Sequence, residues 1–67
     1  MENIEELYIE AEKAVRHQEY ASTSLLQRRL LINYITASKL IDMLWERGVI
    51  GDMDGAKPRE LLSNPVK

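Results

Sequence analysis

Ile35, Lys39 and Asp42 stand at offsets of 0, 4 and 7, a spacing that gathers three side chains on one face of a helix. The chemistry open to such a face is recognition. A lysine can donate to guanine O6 and N7, an aspartate can accept from cytosine N4, and an isoleucine can touch a thymine methyl. The plainer alternative is a solvated face on which the lysine and the aspartate form an ordinary ion pair. Thr36 and Ser38 lie outward on the same helix and can donate to phosphate, as can four cations elsewhere in the chain: Arg28, Arg29, Lys57 and Arg59.

Catalysis has little to work with. His17 is the sole histidine, no cysteine is present, and no serine nucleophile has a histidine beside it, so His17 reads as a solvated or capping residue. Asp52 and Asp54 with Gly55 faintly echo a calcium loop but lack the downstream bidentate glutamate, so a hairpin turn is the better account. The chain is expected to be non-enzymatic, with no cofactor and no metal. Met43 and Met53 read as gap-fillers or partial surface.

Those candidates need elements to hold them, and 67 residues supply one small domain without disulfide or thiolate-metal staples. No apolar run approaches the roughly 20 residues that span a bilayer, and the acidic start "MENIEEL" is unlike a signal peptide, so a cytoplasmic location is expected. Charge is divided along the chain. Met1–Tyr20 holds six acids against two bases, net −4, and the remainder seven bases against five acids, net +2. An acidic first helix before a mildly basic body fits a nucleic-acid binder that presents one face only.

The first helix is predicted over about residues 3–18. Asn3 and Glu6 have capping-box spacing, and Ile4, Leu7, Tyr8, Ala11, Ala14 and Val15 form its buried stripe. Ser24 and Gln27 repeat the box after a short connector at Ala21–Thr23, with room for one pair of strand residues, and predict a second helix over about 24–31. A single helix from Leu25 to Leu44 would spread Ile32, Tyr34 and Ile35 round its cylinder. A break near Ile32–Asn33 buries more apolar surface, and asparagine suits a cap or turn. The third helix is then expected over about 34–47, with Ala37, Leu40, Ile41, Leu44 and Trp45 on its packed face and Gly48 ending it in the left-handed conformation. Trp45 reads as core rather than as a base-stacking ring. Asp54-Gly55 predicts a two-stranded hairpin, or wing, over about 49–62, with Pro58 confining its own segment to an edge. Residues 63–67 read as a frayed tail. The expected class is α+β, mainly α: three helices and a small β-hairpin in a winged helix-turn-helix.

"ASTSLLQRR", "LID", "GVIG" and "DGAKPRE", in that order and spacing, closely resemble the gamma domain at the C-terminal end of FtsK/SpoIIIE bacterial DNA translocases. The resemblance runs from about Glu6 to Leu62. It implies a winged helix-turn-helix that recognises short G-rich sequences in double-stranded DNA, orients a translocase during chromosome segregation and contacts the XerD tyrosine recombinase. It also admits several copies side by side on DNA. Where the family's helix three carries an asparagine, an arginine and an acid that read bases, this chain has Ile35, Lys39 and Asp42. The family's arginine beside the turn is Leu31 here, its glycine is Asn33 and a further arginine is Thr36. An isoleucine cannot make an amide's paired bonds to adenine, and lysine is a point charge where arginine offers a fork. At roughly 1 to 3 kcal/mol per bidentate contact, the implied loss of discrimination is about 2 to 4 kcal/mol.

Two readings follow. One is a double-stranded DNA-binding domain with altered or weakened recognition. The other is a protein-interaction module that has lost DNA reading and presents Leu31 and Ile35 to a recombinase or translocase. Met1 running straight into helix one suggests a complete small protein, such as a regulator from a phage or mobile element.

Overall fold

The computed structural model describes residues 3–52 and 59–62. Helix α1 spans Ile4–Gln18, strand β1 Tyr20–Ala21, α2 Thr23–Leu30, α3 Tyr34–Glu46 and β2 Arg59–Glu60. The three helices pack on one another around Leu26, Leu40 and Leu44, which are fully buried with Val15 and Ile50. This is the mainly helical α+β architecture that the apolar spacing predicts.

Each helix starts at a side chain that takes up an otherwise unpaired backbone amide. Asn3 caps α1 by accepting from the Glu5 amide at 2.8 Å, rather than from Glu6 as box spacing suggests. At the head of α2 the cap is Ser22, not Ser24. Ser22 is the last extended residue after β1, at φ −151° and ψ 157°, and its Oγ accepts from the Leu25 amide at 3.1 Å. Ser24 already lies inside the first turn, where its hydroxyl has no orphan amide to meet. Asn33 caps α3 by accepting from the Thr36 amide at 2.8 Å.

The break between α2 and α3 is real and tight. Leu31 ends α2 in the left-handed region at φ 57°, and α3 begins three residues later. Gly48 ends α3 at φ 79°, its amide donating to the Trp45 carbonyl and the Val49 amide to the Leu44 carbonyl, the paired bonds of a glycine-terminated helix. The chain turns there, so Val49 and Ile50 enter the core beneath the helix.

Two expectations change. Trp45 is 46% exposed, because the buried stripe of α3 is Ala37, Leu40, Ile41 and Leu44, and residue 45 is turned about 100° past its last member. Its indole N–H instead donates to Asp52 Oδ1 at 2.6 Å. The returning segment is also not an edge. Glu60 pairs with Tyr20 and Arg59 with Ala21, while Leu61 bridges to Ile50 from the other side. Proline withholds only its own amide, and the described ladder starts after it, at Arg59. The Asp54-Gly55 turn, Met53, Lys57, Pro58 and the 63–67 tail lie outside the described residues.

The first helix docks onto the end of the third through Arg47. Its guanidinium carbon lies 4.2 Å from the Tyr8 ring centroid and Nη2 lies 3.4 Å from Glu5 Oε2. The ion pair is solvent-exposed and contributes little by itself, so the stacked cation is the larger share.

The two serines separate in a stability test. Ser22→Ala should lower unfolding free energy by about 1 kcal/mol in urea denaturation, while Ser24→Ala should change it by less than about 0.5 kcal/mol. Equal losses would contradict the assigned cap.

Candidate nucleic-acid interface

Helix α3 buries Ala37, Leu40, Ile41 and Leu44, which turns Ile35, Lys39 and Asp42 outward together. All three are exposed, Ile35 by 67%. Thr36 and Ser38 flank them half-buried. Lys39 and Asp42 form no ion pair among the described residues, so the charges are available to an external partner. The same face carries a residue that sequence reasoning passed over. Glu46 lies four residues beyond Asp42 and is exposed, placing two acids at the C-terminal end of the face and one cation nearer its start. An anion is therefore best received at the N-terminal half of α3, where the helix dipole is also positive.

The phosphate candidates do not all gather there. Arg28 lies on the solvent side of α2, but Arg29 lines a depression with Lys13, Ala14 and His17 of α1. Adjacent residues on a helix diverge by about 100°, which separates the pair. Arg59 is half-buried and donates from Nε to the Gly51 carbonyl at 3.0 Å, so part of its guanidinium is engaged in holding the root of the wing. Trp45 grips the next residue, Asp52, from α3. Two side chains thus fix the place where the chain leaves α3. Lys57 lies outside the described residues.

Leu31, Tyr34 and Ile35 are 88%, 60% and 67% exposed, and they follow one another through the turn into the first residues of α3. Sequence reasoning singled out the first and third and missed Tyr34, whose aromatic ring looks like core until the register of α3 is known. Leu31 is doubly unfavourable, being an exposed leucine in a backbone conformation that costs an L-residue roughly 1 to 2 kcal/mol. Folding alone gives no reason for it. Asparagine tolerates that conformation, so Leu31→Asn should raise stability by about 0.5 to 1 kcal/mol in thermal or urea unfolding. A loss of stability would show that the leucine packs somewhere and is not a surface residue.

A family model described as the Ftsk gamma domain matches residues 2–64. The chain is 48% identical over 63 residues to the DNA translocase SpoIIIE of Bacillus subtilis (strain 168), an alignment covering 94% of this chain and 8% of that protein. It is 49% identical over 61 residues to the DNA translocase FtsK of Clostridium tetani, covering 91% of this chain and 8% of that one. With the DNA translocase SftA of Bacillus subtilis it shares 50% identity over 58 residues, which is 87% of this chain and 6% of the relative. The chain thus spans less than a tenth of the length of these relatives. Matched by the family model along almost its whole length, the chain belongs to the Ftsk gamma domain family.

Proposed function

We propose that this chain is a single winged-helix domain that binds double-stranded DNA through the outward face of α3, with sequence recognition altered or weakened relative to the translocase gamma domains it resembles. The observation that carries the reading is the outward set on α3, where Lys39 and Asp42 are exposed without pairing to each other and lie beside Ile35. Lys39 would donate to guanine, Asp42 would accept from cytosine and Ile35 would meet a thymine methyl. Arg28, Thr36 and Ser38 would hold phosphate near α3, with Lys57 and the remaining donors of Arg59 reaching it from the wing. The domain would be non-catalytic and would act in the cytoplasm. No helix among the described residues is long and apolar enough to cross a membrane. In a translocase it would orient the motor on the chromosome.

The dispersal of charge supports weakened affinity. Arg29 faces α1, Arg59 is partly engaged, and Asp42 and Glu46 repel phosphate at the far end of α3. About three phosphate contacts remain, so the slope of log K against log salt should be about −3. A second reading is favoured by one observation, the exposure of Leu31, Tyr34 and Ile35: the module would grip a protein partner such as an XerD-like recombinase or a translocase subunit.

Fluorescence anisotropy separates the two. Labelled duplexes carrying a G-rich motif, its scramble and a random pool should bind with a salt-dependent affinity and a preference for one sequence, and Lys39→Ala should reduce that preference about tenfold. No binding at low salt would overturn the DNA reading and leave the partner reading standing.

A further inference from the structure

We infer that the apolar projection at the α2–α3 turn docks into the outer groove of α1 on a second copy of this chain, in a head-to-tail contact that covers the DNA-reading face. The projection is made by Leu31, Tyr34 and Ile35. The stretch containing it, Arg28 to Lys39, holds three cations and no acid. The groove is its complement. Glu6, Leu7, Ile9 and Glu10 line a depression of about 350 Å³ on α1, in which Glu6 and Glu10, one turn apart, lie between the exposed Ile9 and Leu7, itself partly buried against the core. Residues 1–12 hold five acids and no cation. Ile9 is 52% exposed on the side of α1 opposite the buried stripe of Tyr8, Ala11, Ala14 and Val15.

Both surfaces face away from the core, so a chain cannot join its own projection to its own groove. Two different patches that complement each other between copies make a heterologous contact, which builds a ring or an open chain according to the rotation between copies. Of the two acids, Glu10 lies 4.0 Å from Lys13 and shares a second depression with Lys13, His17 and Arg29, whereas Glu6 has no ion pair among the described residues. A basic rim on Arg28 and Lys39 would supply a partner for Glu6, and apolar contact between Ile35 and Ile9 would exclude water beside it. Three apolar side chains make a patch well below the area of a standard stable interface, so the contact is weak and concentration-dependent. Its consequence is competition, because Ile35 and Lys39 cannot meet DNA and a second copy together. That consequence rests on the DNA reading above, while the contact itself does not. It also differs from copies lying side by side on DNA, which would leave each reading face on the duplex.

Sedimentation velocity on the chain without DNA tests the contact. The wild type should show an apparent mass that rises above the monomer with concentration and falls back with added salt. Ile35→Glu removes the projection and Ile9→Lys removes the groove. Both positions are exposed, and circular dichroism checks that the helices survive. Each variant alone should remain a monomer. An equimolar mixture should reach the mass of two chains and no more, because it holds one intact projection and one intact groove per pair. A mixture that stays monomeric while the wild type associates, or a wild type that stays monomeric at every concentration, would overturn the inference. Adding a bound duplex should return the wild type to one copy per site. Species that carry DNA and the second copy on one reading face would contradict the overlap, whereas absent DNA binding would touch only the reading above.

Discussion

The turn between α2 and α3 fixes which face of α3 this molecule shows to a partner. Leu31 enters the left-handed region and Asn33 closes the head of α3 by accepting the Thr36 amide. Those two events set the angle at which α3 leaves α2, and the buried leucines at 26, 40 and 44 then lock it. With one face of α3 committed to the core, the opposite face is determined. Ile35, Lys39 and Asp42 point outward because Ala37, Leu40, Ile41 and Leu44 point in. A glycine at Leu31 would make the same turn without strain, so folding alone gives no reason for the leucine there.

The wing is held to this frame by few but specific contacts. Trp45 reaches from α3 to Asp52, and Arg59 reaches from the returning strand to Gly51, so both ends of the wing are tied to its root. The strand pairing of Glu60 with Tyr20 and of Leu61 with Ile50 joins the root to the connector between α1 and α2. The strand pairing and the Arg59 bond are sheltered by Ala21, Val49 and Ile50, whereas the Trp45–Asp52 bond lies exposed. The positions of α3 and the returning strand are therefore coupled mainly through the core.

Much of this was legible in the residues. Apolar spacing located three helices, and the impossibility of one stripe from Leu25 to Leu44 located the break. Gly48 announced its own role. Where the reading slipped, the signal was local and the answer was not. Ser22 and Ser24 both suit a cap, and only the extended backbone arriving from β1 selects Ser22. Trp45 looked buried because large aromatics usually are, but a helix face is set by angle, and position 45 falls beyond the stripe. Pro58 suggested an edge, yet strand order depends on the distant Tyr20 and Ala21. The candidate face on α3 was readable as a set of offsets, whereas the parting of Arg28 from Arg29 and the engagement of Arg59 needed the packing of α1 and the wing.

We propose that the outward face of α3, with the turn before it, is the working surface. Titrating ¹⁵N-labelled protein with a duplex and following amide shifts by NMR tests this residue by residue. The largest changes should cluster from Arg28 through Asp42 on the outward positions, with the outer face of α1 little affected at protein concentrations where the chain is monomeric. Shifts confined to α1, with α3 unmoved, would contradict it.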